Sequence, residues 1–336
     1  MAASISSRTP LTARVVRALC RVMVDVDDPL DRACAELARF HARHPLREAE
    51  VASLHNALTA RLRGCATDRQ SLVPVSGQAG VDHRRTTALL ERLRRIEPAL
   101  VHYLFRGACG WPPCPAEPAV VGWLAARRGR FASVFDRDLK SARKRVLQLG
   151  HPAVRTREDW ADAVDASGAG DDDITIGRYA EARALYDTQA YASRFNPADR
   201  RNVHLGLDLG VPAGTPVHAP LEGTVHSFAD NDIAGDYGPT VILEHRADEV
   251  PFYTLYGHLQ RRSLDGLEAG RRVGRAQRIG RIGAPHENGG WPAHLHFQIM
   301  TDMLGMKGNF YGVGEADKLA LWKSLCPDPE LIVSLA

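Results

Sequence analysis

No stretch of this 336-residue chain approaches the roughly 18 uninterrupted apolar residues that a membrane-crossing helix needs. No secretory leader is expected either. Arg14, Arg17 and Arg21 interrupt every apolar run near the N-terminus, and no small-residue cleavage site follows. The expected address is therefore cytoplasmic, with no membrane partner. Cysteine is sparse: Cys20, Cys34, Cys65, Cys109, Cys114 and Cys326, none of them in a CxxC pair. A chain of this length builds a core without covalent staples, so no disulfide framework is required. Cys109 and Cys114, in CGWPPC, have no two further soft ligands near them in sequence and are expected to be plain buried thiols. Aromatic residues make up only 7% and no nucleic-acid-binding motif is present, so nucleic acid is not the expected partner. Long internal repeats and low-complexity tracts are absent too.

What is present is the composition of a soluble globular protein, 44% hydrophobic and 25% charged, with length enough for two domains. The net charge of +3 conceals an asymmetry. Residues 1–150 hold 25 Lys and Arg against 14 Asp and Glu, whereas 151–336 are net acidic. Such a contrast supports two domains and permits an acidic partner for the first.

Residues 10–150 are predicted helical. LTARVVRALCRVMV, LDRACAELARFHARH, LREAEVASLHNALTARL, TTALLERLRRIEPALVHYLF and AVVGWLAARRGRFASVF place apolar residues three and four apart. Gly80, Gly110–Pro113 and Gly150–Pro152 separate these segments. Residues 151–195 read as a linker and docking segment. DASGAGDDDITIG is small and acidic, with Asp171–Asp173 solvated, and RYAEARALYDTQAYASRF reads as one further helix or a docking stretch. From residue 196 to 336 the expectation is a β domain. GTVHSFA, PTVILEH and PFYTLYGHL are short β-branched and aromatic runs between turns, and residues 204–225 carry four glycines and three prolines. RRVGRAQRIGRIG suggests a hairpin on a curved sheet. The fold class is thus α+β and multidomain, a helical N-terminal half with a C-terminal antiparallel β domain.

Three histidine clusters lie in the β half: HLGLD at 204–208, YGHL at 256–259 and HLHF at 294–297. On a strand, His294 and His296 project to one face about 7 Å apart. His204 and Asp208 would lie roughly 13 Å apart on an extended strand, so the chain must bend between them, and Gly206 permits it. Two histidines and one carboxylate form the ligand set of a catalytic zinc, which leaves one coordination position open. Two further histidines can then move a proton and steady a developing oxyanion. The remaining histidines, His245 among them, are expected to be solvated or hydrogen-bonded.

Together with VPAGTPVHAPLEGTV at 211–225, these clusters resemble the lysostaphin-type zinc metalloendopeptidases over residues 200–300. The resemblance implies a compact antiparallel β domain holding one zinc per chain at the floor of a groove. It makes His204, Asp208 and His296 the zinc ligands and His258 and His294 the catalytic pair. This chain departs from the family pattern at Gln298, where Glu is usual, at Ala276, where Gly is usual, and at Trp291-Pro292. A second resemblance, carried by PLREAEVASLHNALTARL, RGACGWPPCP and residues 196–336, is to bacterial fusions of a phosphotransferase-like kinase, this peptidase domain and a class-III aminotransferase. It would make the helical half a remnant of a kinase-like C-terminal lobe, without the kinase catalytic motifs. Three functions follow: zinc-dependent hydrolysis of a peptide or amide bond, a cytosolic zinc enzyme for a small amine or amino-acid-derived metabolite, and a non-catalytic partner-binding protein.

Overall fold

The computed structural model describes residues 11–23, 28–67 and 83–335; the break expected at Gly80 and the first ten residues lie outside them. The chain divides into two compact units, Met1–Pro113 with Arg194–Asn196, and Cys114–Ser193 with Pro197–Ala336. None of the described helices is long and apolar enough to cross a membrane.

In the first unit the three- and four-residue apolar spacing becomes α1 (Leu11–Met23), α2 (Pro29–Arg43), α3 (Glu48–Thr67), α4 (His83–Arg94) and α5 (Pro98–Ala108). Helix α1 buries Val15, Val16, Leu19 and Met23 as one stripe. Helix α2 starts where the Asp28 carboxylate accepts the Asp31 N–H at 3.3 Å, with Pro29 in its first turn. The run 86–105 splits in two because Pro98 disfavours helical backbone at Glu97 and instead opens α5.

The helical half ends earlier than position 150. Helix α6 (Glu117–Ala125) places Val120 and Leu124 in one apolar core with Leu207, Leu209, Phe252 and Phe297, so it belongs to the second unit. Residues 151–195 are not a linker. They contain α7 (Arg157–Ala166), started by a reciprocal Thr156–Asp159 cap, and strand β2 (Ile174–Gly177), which pairs in parallel with β1 (Lys144–Val146). All four residues of β2 are buried. Asp173 is buried too, against the expected solvated run: Arg143 hydrogen-bonds its carboxylate and Arg145 stands 3.4 Å away, which holds its pKa down at about 2. Of the further helix or docking stretch expected over 178–195, the helix is reduced to a 3-10 turn at Gln189–Tyr191. Its backbone instead bonds to β3 (Val203–His204), through Ala180 N–H to His204 O and His204 N–H to Glu181 O, each at 2.9 Å.

The other strands are β4 (Leu207–Gly210), β5 (Pro216–His218), β6 (Gly223–Asn231), β7 (Gly238–Ala247), β8 (Val250–Gly257), β9 (Arg272–Val273), β10 (Arg278–Arg281), β11 (His294–Met300) and β12 (Val313–Gly314), followed by α8 (Leu319–Leu325). Among the described residues, eight strands form one sheet in the order β1-β2-β4-β11-β8-β7-β6-β9, antiparallel except for the first pair. β9 pairs with β6 and β10 with β5, so RRVGRAQRIGRIG is not a hairpin; its two halves join different sheets. Strand β11 lies inside the large sheet and all seven of its residues are buried. Leu295, Phe297 and Ile299 enter the apolar core, so His294, His296 and Gln298 share the opposite face. Leu207 and Leu209 of β4 likewise point to the core, leaving Asp208 beside His296.

One buried histidine away from that face makes a stability prediction. His245 directs Nδ1 to the Glu222 carbonyl at 2.7 Å and Nε2 to the Thr254 hydroxyl at 2.7 Å. Burial pushes its pKa down to about 4, with the Glu222 bond opposing. A histidine kept neutral in the fold contributes stability above its unfolded pKa of 6.5 that is lost as pH falls towards 4, at about 1.4 kcal/mol per pH unit. Urea unfolding between pH 7 and pH 4.5 should show that slope, and His245→Gln should remove about one proton's worth of it. Equal slopes in both proteins would refute the assignment.

Candidate metal centre and histidine pair

A cross-strand row fixes the site. Gly177 of β2 stands opposite Asp208 of β4, Asp208 opposite His296 of β11, and His296 opposite Gly257 of β8. The two side chains that carry chemistry are therefore flanked by residues with none. His204 comes from β3, a separate strand that a break at Leu205-Gly206 divides from β4. The expected bend is present, but Gly206 is needed for a second reason. A Cβ there would lie 2.5 Å from His296 Nε2 and 3.0 Å from the Phe297 carbonyl. The His296 ring occupies the space that any side chain at 206 would fill.

Three donor atoms converge. His204 Nε2 is 3.0 Å from His296 Nδ1 and 3.1 Å from Asp208 Oδ1, and the last two are 3.2 Å apart. Tetrahedral ligands on bonds of roughly 2.0–2.1 Å stand about 3.3 Å from one another, so the triangle has the size that a single zinc requires. Proton placement makes the same point. His204 Nδ1 faces the Arg178 carbonyl at 3.0 Å, an acceptor, and so carries the ring proton. His296 Nε2 faces Gln298 Oε1 at 2.9 Å. That amide is oriented by its own Nε2, which donates to the Tyr311 carbonyl at 3.0 Å and to Cys326 Sγ at 3.2 Å. Both histidines thus aim bare ring nitrogens at each other and at a carboxylate oxygen. Three lone pairs with no hydrogen between them repel unless a cation lies at their centre, and this donor set fits zinc.

Electrostatics agree with this. Burial alone would raise the Asp208 carboxyl, but His204 and Arg183 beside it hold it well below the usual carboxylate range. Burial and the Arg183 charge push His204 down to about 4, against the pull of Asp208. All three ligand candidates are at most 3% exposed.

His258 and His294 stand next to this triangle. Their ring centroids are 4.3 Å apart, and His294 Nε2 lies 3.6 Å from Asp208 Oδ1. His258 follows β8 with φ of 63°, a left-handed conformation that directs the ring off the strand line. Its Nδ1 faces the Asn288 carbonyl at 2.9 Å, and His294 Nδ1 faces the Pro292 carbonyl at 2.7 Å. Each ring therefore keeps Nε2 free to accept a proton. Burial is the main cause that lowers both pKa values; the neighbouring His294 and His296 rings lower His258 further, whereas Asp208 pulls His294 back up against His296 and Arg183.

The structure thus brings together all five residues singled out in the sequence. It also adds residues that the sequence did not point to. Trp160 of α7 lies over His294 at 4.8 Å between centroids, with Trp291 5.4 Å from it. Arg183 binds Asp208 Oδ2 at 2.8 Å. Both Trp160 and Arg183 fall in the stretch read as linker and docking segment, and no motif marked them. Gln298, noted in the sequence as a departure from the family pattern, lies two residues beyond His296 on the same face of β11 and meets its ring.

Residues 202–308 match the model of Peptidase family M23. The chain is similar to the peptidoglycan DD-endopeptidase ShyC of Vibrio cholerae, 32% identical over 126 residues, which covers 36% of this chain and 27% of that protein. It is also similar to an uncharacterized metalloprotease of Haemophilus influenzae, 34% identical over 131 residues, 37% of this chain and 26% of that one. The chain thus spans about a quarter of the length of these relatives. Among solved structures it is similar to a zinc containing peptidase from Vibrio cholerae at 29% identity, covering 31% of this chain and 29% of that one with a TM-score of 0.25, too low to carry an argument about fold.

Proposed function

We propose that the region matching Peptidase family M23 forms a zinc-dependent hydrolase site for peptide bonds, with one zinc per chain held by His204 Nε2, Asp208 Oδ1 and His296 Nδ1. The observation that carries this reading is the convergence of His204 Nε2, Asp208 Oδ1 and His296 Nδ1 at 3.0, 3.1 and 3.2 Å from one another. When bound there, zinc supplies Lewis acidity and leaves a fourth position open to the reacting group.

The chain's own residues do the remainder. With Nδ1 committed to a backbone carbonyl, His258 and His294 each leave Nε2 for proton transfer next to the three donors. One ring can take the proton of the attacking water and pass it to the leaving amine. The 4.3 Å separation of their centroids makes a second positive charge on the pair costly, so the pair carries one proton at a time. The protonated ring is also the group able to donate a hydrogen bond to the developing oxyanion. Trp160 and Trp291 exclude water and must give way before a peptide enters, since both histidines are at most 5% exposed.

The name of the Vibrio cholerae relative, a peptidoglycan DD-endopeptidase, points to peptidoglycan as the substrate class. Incubation of the zinc-loaded chain with cross-linked muropeptides should yield chelator-sensitive cleavage of the cross-link. A chain that carries one zinc and leaves every such peptide intact would overturn the assignment.

A further inference from the structure

We propose that Arg183 is a positioning residue for the metal-binding carboxylate, supplied from outside residues 202–308, and that this site holds zinc tightly only with it in place. The inference rests on the reading of His204, Asp208 and His296 as zinc ligands. Asp208 has two oxygens and the structure assigns them different partners. Oδ1 faces the ring nitrogens of His204 and His296, while Oδ2 accepts from Arg183 Nη1 at 2.8 Å. The guanidinium thereby fixes the carboxylate rotamer and leaves one oxygen for the metal.

Arg183 is itself held on several sides. Its side chain is fully buried. Nε donates to Glu181 Oε2 at 3.0 Å, Nη1 also donates to the Tyr186 hydroxyl at 3.0 Å, and Nη2 reaches the Arg178 carbonyl at 3.5 Å. That carbonyl also accepts the ring proton of His204, so one peptide group ties the arginine to a second ligand. The guanidinium lies 5.4 Å from the Trp160 ring centroid, packed beneath the cover of the site. Space for this arrangement comes from Gly177, where a Cβ would sit 2.8 Å from both Arg183 Nη2 and Asp208 Oδ2. Gly177, Arg178, Glu181, Arg183 and Tyr186 all precede the matched region, yet together they build the outer support of two ligands.

A purely structural arginine would neutralise a buried aspartate and leave the metal's coordination alone. A positioning arginine changes that coordination when removed, because Oδ2 becomes free to join Oδ1 on the metal. The full chain should therefore be compared with Arg183→Met and Arg183→Lys by two measurements: zinc affinity in chelator competition, and the visible spectrum of the cobalt-substituted protein. Arg183→Met is expected to bind zinc about 10–100-fold more weakly, the cost typical of a lost outer partner, and to show an altered cobalt band. Lysine offers a point charge without the planar fork, so Arg183→Lys should lie between the two. Wild-type affinity with an unchanged cobalt spectrum in Arg183→Met would overturn the proposal. Should that variant not fold, the same result in Arg183→Lys would overturn it. Absence of zinc from the wild type would sink the metal-site reading itself, a distinct failure.

Discussion

Replacement of His258 by alanine should lower peptide turnover by about 10²–10⁴-fold, the range for loss of a positioned general acid–base group, while zinc content stays at the wild-type level. His258 is not one of the three converging donors, and its ring centroid stands 6.2 Å from that of His296. Its Nδ1 is committed to the Asn288 carbonyl, so only Nε2 is available for chemistry. The left-handed backbone at this position adds a strain that alanine tolerates poorly, and asparagine better. His258→Asn therefore serves as the second variant, in which fold and metal are retained and the proton acceptor is removed. Turnover and zinc content measured on the same samples decide the matter. Turnover within a few-fold of wild type in both variants would remove His258 from the mechanism, and loss of zinc would make it a ligand.

The second large effect is expected at a residue with no side chain. Gly206→Ala would place a methyl group against Cε1 of the His296 ring and 2.5 Å from its Nε2. The backbone on the other side is no more forgiving, with the Phe297 carbonyl at 3.0 Å. The ring must move. In moving it breaks the 2.9 Å contact with Gln298 that fixes its proton, and it withdraws Nδ1 from the triangle. Zinc affinity should fall by at least the roughly 10–100-fold that loss of an outer partner costs. Chelator competition reads the change, and affinity equal to wild type would show that the ring has room the structure does not reveal.

The contrast between these residues shows what the sequence could disclose. Strand parity put His294 and His296 on one face, and both occupy that face of β11. The spacing of His204 and Asp208 demanded a bend, which falls between β3 and β4. These are local rules of period and reach, and local rules can be read from a row of letters. Arg183, Trp160 and Gly177 obey no such rule. They meet the site from a helix, a strand and an irregular segment that pack against residues far along the chain, so nothing adjacent in sequence marks them. The same cause moved the domain boundary. Val120 and Leu124 of α6 repeat at helical spacing like any other helix, and only the partner core assigns them to the sheet unit. Likewise β2 is ITIG, four residues beside an acidic run, whose burial depends on β1 and β4 closing around it.

The central claim is that His204, Asp208 and His296 hold a single zinc. Elemental analysis of the full chain purified without chelator or added metal, beside His296→Ala, tests it most directly. About one zinc per chain in the wild type and a large loss in the variant is the predicted result. Well-folded wild type without stoichiometric metal, or a variant that retains it, would contradict the account.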